Sequence, residues 1–95
     1  MAVKIIIKRK VAKDKEAELL PILIQMRALA TAQTGYISGE TLRNMENSEE
    51  YLVISTWQSV DNWNVWLTNK QRAEIQEKID SLLGEKTEYS IYLYG

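Results

Sequence analysis

The side chains able to do chemistry in this chain are few, and they gather around one junction. Tyr51 to Trp57 form a run that is apolar on both alternating faces, and it passes without Gly or Pro into V-D-N-W-N-V-W-L, residues 60–67. Trp66 sits at the edge of that segment's apolar stripe, off the line of Val60, Trp63 and Leu67. There a large ring can wall a cavity between helix and sheet. Asn62 precedes Trp66 by one helical turn and can point an amide into the same space. Gln76, at the border of the Ile75, Ile79 and Leu83 face, can hydrogen-bond a ligand, and Arg72 can pair with an anionic substrate or product. Tyr36 and Tyr89 offer phenols that bind or relay a proton. Each residue also has an ordinary role: core packing for Trp63, Trp66 and the tyrosines, helix-start bonding for Asn62, solvation for Gln76, and a surface ion pair for Arg72.

The missing residue types narrow the chemistry further. The chain has no cysteine, which removes thiolate nucleophiles and sulfur-ligated metals. It has no histidine either, hence no imidazole base titrating near neutrality, no usual axial ligand for haem and no usual nitrogen ligand for zinc. A metal would need carboxylates or tyrosine, and no such cluster stands out, so neither metal nor cofactor is expected.

Twelve basic against thirteen acidic residues leave a net charge of −1, with no global field to draw nucleic acid or anionic lipid. Lys4, Lys8, Arg9, Lys10, Lys13 and Lys15 form a local basic cluster. Alternation splits it between two faces, and it reads as a solvated strand end rather than a nucleic-acid surface. The longest apolar run near the N-terminus, Ile5–Ile7, is far below the ~20 residues of a membrane span. These features point to one cytoplasmic domain over residues 1–95, with no membrane partner.

The elements that must position these groups follow from periodicity. Val3–Val11 alternates as a strand, with Val3, Ile5 and Ile7 on one face. After Lys13-Asp14-Lys15, with Asp14 as the expected N-cap, Leu19, Ile22, Leu23, Met26, Leu29 and Ala30 recur at helical spacing to about Gln33. Pro21 should bend that helix. Leu20 and Ile24 widen its apolar arc beyond one contact surface. Tyr36–Asn44 and Glu50–Gln58 read as two strands joined by a polar loop, with Gly39 inviting a bulge or close approach. A short helix capped by Ser59 or Asp61 and a second over Lys70–Leu83, ended by Gly84, precede a last strand, Glu85–Tyr94.

The order is βαββαβ with the second helix split, an α+β pattern. Right-handed crossovers turn it into a ferredoxin-like antiparallel four-stranded sheet with its helices on one side. A sheet with one wet face should alternate apolar with polar residues. Here Leu52 and Ile54 point one way while Tyr51, Val53 and Trp57 point the other. The second face therefore calls for a cover, and a second copy packed sheet to sheet is the simplest one.

The segments K-I-I-I-K-R-K-V, G-Y-I-S-G-E-T-L-R, E-Y-L-V-I-S and T-W-Q-S-V-D-N-W-N-V-W-L resemble the antibiotic biosynthesis monooxygenase family. The resemblance implies a dimeric α+β barrel. It also implies one of several activities, among them cofactor-independent oxygenation of phenols and haem degradation. The haem-degrading branch carries an Asn, a Trp and a His. Its Trp falls on Trp66, but its His falls on Gln76 and its Asn on or near Lys8, which argues against haem degradation.

Two functions then remain. One is a cofactor-independent monooxygenase of a small electron-rich aromatic, a phenol or hydroquinone, with Trp66 and Trp63 stacking the ring and Asn62, Gln76, Tyr36 and Arg72 around its oxygens. The other is a non-catalytic dimer that binds a small ligand or serves a partner on the same fold.

Overall fold

β1 (Val3–Lys10) realises the expected alternation, with Val3, Ile5, Ile7 and Arg9 buried and the intervening residues more exposed. The computed structural model describes residues 1–95 in full. The elements that follow are α1 (Lys13–Thr31), β2 (Tyr36–Arg43), β3 (Glu50–Trp57), α2 (Val60–Leu67), α3 (Lys70–Leu83) and β4 (Ser90–Leu93). The strands lie in the order β2-β3-β1-β4, and every neighbouring pair is antiparallel, the ferredoxin-like arrangement. No helix is long and apolar enough to cross a membrane.

Register fixes the faces, because residues directly opposite in antiparallel strands project to the same side. Val3, Ile5, Ile7 and Arg9 stand opposite Trp57, Ser55, Val53 and Tyr51 on the side the helices cover. Ile6 lies opposite Ile54, and Leu42 opposite Leu52, on the other side. The apolar-on-both-faces pattern expected of β3 is thus realised.

Two buried clusters form beneath the helices. Val3, Ile5, Trp57, Trp63 and Trp66 make one, and Val11, Leu19, Ile75 and Ile79 the other. Met26 and Leu29 of α1 pack against both.

Several local expectations are corrected. α1 starts at Lys13 with Ala12 at its N-cap and no side-chain cap, so Asp14 lies within the first turn rather than before it. The helix itself is kept as expected, running through Pro21 to Thr31. β4 is four residues long rather than ten, because Thr87 is drawn to α3: its N–H and hydroxyl both donate to Asp80 Oδ1, at 3.2 and 2.8 Å. A backbone N–H given to a carboxylate is unavailable to a ladder.

The Ser59 cap and the Gly84 stop are as expected, and Asn69, which breaks the split helix, also caps its second half. Ser59 Oγ accepts from Asn62 N at 3.1 Å, and Asn69 Oδ1 accepts from Arg72 N at 3.0 Å. Gly84, at φ 74°, closes α3 with its N–H donating to the Asp80 carbonyl at 2.8 Å.

Gly35 is constrained twice. Its φ is 87°, and a Cβ there would come within 2.3 Å of Asn62 Cγ, so the turn into β2 and the start of α2 touch through a missing side chain. Gly84 has a similar φ but open space around it. Gly84→Ala should therefore cost only the left-handed strain, about 1 kcal/mol. Gly35→Ala adds overpacking and should cost about 2–4 kcal/mol, a difference that urea denaturation of the two variants will read.

Candidate functional site

A cavity of about 260 Å³ opens between α1 and the β2–β3 half of the sheet. That is at the small end for organic ligands, roughly 300–1,000 Å³. Its aromatic wall comes from Tyr36, Trp57, Trp63 and Trp66, on three consecutive elements, with Trp57 at the end of β3 and Trp63 and Trp66 on α2. Trp57 stacks on Trp66 with ring centroids 6.4 Å apart and meets Tyr36 and Trp63 edge-on at 5.4 and 5.9 Å. Such pairs fix ring orientation as well as burying area. Leu20, Leu23, Ile24 and Met26 of α1 form the opposite wall. Leu20 and Ile24 are exposed at its mouth, which accounts for the excess width of the helix's apolar arc.

Gly39 shapes the same space. A Cβ on it would meet the Tyr36 hydroxyl at 2.5 Å, so the absent side chain lets the phenol lie along β2. The backbone at Ile37 is irregular, a register shift between Tyr36 and Ser38. The close approach expected at Gly39 is therefore present, two residues beyond the bulge.

The polar end of the cavity is built on Arg72, which is buried and in no ion pair; the chain's one salt bridge is Arg43–Glu16. The surface role open to it from sequence is thereby corrected. Its guanidinium lies 5.5 Å from the Trp63 ring centroid, 5.9 Å from Trp66 and 5.0 Å from Tyr89. Its Nη2 donates to Tyr89 Oη and, at 3.4 Å, to Gln76 Oε1. Desolvated cation–π contacts are worth up to about 2 kcal/mol each, so the aromatic box offsets part of the burial cost.

Gln76 is buried rather than solvated, and its amide is fully engaged. Oε1 accepts from Arg72 and, at 3.1 Å, from Tyr89 Oη, while Nε2 donates to Asp80 Oδ1 at 2.8 Å and Thr87 Oγ1 at 2.6 Å. It holds Arg72 and Tyr89 in place with no donor left over for a ligand. Asn62 lies outside the cavity: its Oδ1 accepts from Ser59 Oγ at 2.7 Å, so its amide is turned to the helix start. Of the seven residues singled out in the sequence, the structure brings Trp63, Trp66, Tyr36, Arg72 and Gln76 together in the lining, sets Tyr89 behind them on Arg72 and Gln76, and leaves Asn62 apart.

Sequence reasoning missed Arg9. It is buried on the helix side of β1, lines the cavity, and has Nε and Nη1 without hydrogen-bond partners. The solvated strand end expected of the basic cluster holds for Lys8 and Lys10 and fails for Arg9. The signal was there, since Val3, Ile5 and Ile7 put position 9 on the buried face. Burial pulls the Arg9 guanidinium below its ordinary pKa; Tyr89 and Asp80 oppose that shift, and the like charge of Arg72 adds to it. Trp57 and Tyr51 also belong to the lining.

With this geometry in hand, comparison with known proteins is decisive for lineage. The family model for antibiotic biosynthesis monooxygenases matches residues 2–78. The chain belongs to the antibiotic biosynthesis monooxygenase family. Among solved structures, a conserved protein from Methanosarcina mazei Go1 superposes with a TM-score of 0.91 at 19% identity, over 100% of this chain and 94% of that one. SnoaB, a cofactor-independent oxygenase from Streptomyces nogalater, gives 0.81 at 17% identity, over 99% and 93%. At these identities the likeness is one of fold. No curated protein matches the chain in sequence.

In this family member the cavity's flank is tied by an exposed triad joining α1 to β2 and β3. Arg43 Nη2 donates to Glu16 Oε1 and to Tyr51 Oη, and Tyr51 Oη donates to Glu16 Oε1 at 2.8 Å. The Tyr51 hydrogen bond, and after it the charge of Arg43, hold the Glu16 carboxyl below the ordinary glutamate value. A depressed carboxyl pKa stabilises the fold fully above the unfolded-state value, and that contribution is lost as pH falls through the folded-state value. The stability difference between wild type and Glu16→Gln should therefore be constant near pH 6–7. It should close on acidification below about pH 4, as read by urea midpoints across that range.

Proposed function

We propose that the chain is a cofactor-independent monooxygenase of small, electron-rich aromatics, phenols or hydroquinones, working as a two-fold dimer. The observation that carries the reading is the cavity itself, an aromatic slot whose polar end holds two buried guanidinium groups and no carboxylate partner in an ion pair. Family membership and the fold shared with SnoaB support the same reading.

Triplet oxygen reacts slowly with closed-shell molecules but accepts an electron from a phenolate. Two fixed cations in a desolvated site favour the ionised phenol over the neutral one. The bound phenolate transfers one electron to O2, giving a phenoxyl radical and superoxide. These recombine at a ring carbon, forming a C–O bond, and the resulting hydroperoxide loses water as the C–H and O–O bonds break. Phenol plus O2 becomes quinone plus water, the substrate supplying four electrons. The chain's part is to stack the ring on Trp66 and its neighbours, hold the oxyanion near Arg72, and exclude bulk water. On this reading the Tyr36 phenol, which lines the cavity, hydrogen-bonds a second ring oxygen.

The dimer follows from the uncovered side of the sheet. Ile6, Leu42, Leu52 and Ile54 stand there in opposed pairs, and Tyr92 joins them from β4. Covering each such side chain is worth on the order of 1.5–3 kcal/mol. A second copy supplies a matching face.

Two measurements test the proposal. Dihydroxyaromatics should be consumed with stoichiometric O2 uptake, falling at least tenfold in Trp66→Ala. A wild-type rate equal to buffer would leave only a ligand-binding protein. Light scattering at micromolar concentration should give about twice the 11.0 kDa chain mass, and Ile54→Glu should return the protein to a single folded chain; a monomeric wild type would refute the dimer.

A further inference from the structure

The buried polar atoms that lack a partner share two properties. They are Arg9 Nε, Arg9 Nη1, Arg72 Nε and Trp63 Nε1, so every one is an N–H donor, and every one belongs to a residue lining the cavity. Buried polar groups are nearly always paired in native structures. All four are donors on residues of β1, α2 and α3 that line one cavity, so a ligand seated there with several acceptors is the object best able to pair them.

Charge adds a second specification. Arg72 has Gln76 and the rings of Trp63, Trp66 and Tyr89 around it, whereas Arg9 has no ion pair, no side-chain hydrogen bond and no cation–π contact. A guanidinium stays protonated even when buried. Water could satisfy its N–H groups but not its charge. Asp80 favours the charge on Arg9 from a distance, but its carboxylate is bonded to Gln76 and Thr87 and touches neither guanidinium. An anion in direct contact is thus what both guanidinium groups lack.

We infer that the cavity takes an aromatic acid, its ring against Trp57 and Trp66 and its carboxylate between Arg9 and Arg72. A phenolate alone presents a single oxygen. A carboxylate presents two oxygens with about four lone-pair directions, enough for donors arriving from two arginines. The inference deepens the ligand-site reading on which it rests, and it predicts binding whether or not turnover occurs. The substrate class becomes the hydroxyaryl carboxylates, whose acid group anchors the molecule while the phenol remains free to react.

The test is calorimetric titration of the full chain near pH 7 with salicylate, gentisate and 1-hydroxy-2-naphthoate, each against its neutral carboxamide. At least one acid should bind tenfold or more tightly than its amide. In Arg9→Met that preference should vanish while the amide's affinity holds. Replacing a buried, unpaired cation by an apolar side chain of similar length should also raise the Tm of the ligand-free protein, by about 4 °C or more, whereas a structural arginine would lower it. Failure of all three acids to bind at millimolar concentration, equal affinity for acid and amide, or a preference that survives in Arg9→Met would each overturn the inference. The acid–amide comparison uses wild-type protein and stands even if the variant does not fold. Acid-selective binding without oxygen uptake would uphold this site and remove the oxygenase.

Discussion

The guanidinium of Arg72 is the point on which the interior is organised. Its backbone N–H is taken by the Asn69 cap, which fixes the first turn of α3. Its head lies among Trp63, Trp66 and Tyr89, so the split helix and the approach to β4 converge on one charge. Gln76, one turn further along α3, ties that head to Tyr89 and, through its own amide, to Asp80 and Thr87. A buried cation without these neighbours would cost several kcal/mol. With them, the segment between α3 and β4 is drawn off the sheet and β4 is cut to four residues.

That arrangement divides the sheet's two faces between two tasks. The helix side contains both buried clusters and the cavity, while the other side presents Leu42, Leu52 and Ile54 with no element of the chain over them. The fold is a scaffold that its family uses for several chemistries. In this chain the cavity side carries a pair of arginines, one contributed by the central strand and one by the last helix.

Much of the frame was legible in the sequence because it rests on local periodicity. Alternation in β1 and β3, the Ser59 cap, the Gly84 stop and the placement of Trp66 beside a cavity are all short-range patterns. What was not legible depends on contacts far apart in the chain. The strand expected from Glu85 begins only at Ser90, because Thr87 bonds to a carboxylate seven residues earlier on another element. Asn62 was correctly placed on its helix, yet its amide is claimed by Ser59. Arg9 differs in kind: its residue type suggests solvent, while the period of two carries the buried face through Ile7 to Arg9. Gln76 shows the converse, a polar residue near an apolar stripe whose bonds are all internal.

The location of the cavity mouth has a consequence for traffic. Leu20 and Ile24 rim it on the helical layer, the side of the molecule opposite Leu52 and Ile54. Whatever shields the bare side of the sheet leaves this doorway unobstructed. An aromatic guest of the proposed kind would therefore pass the flank of the first helix without any sheet-side partner having to be displaced.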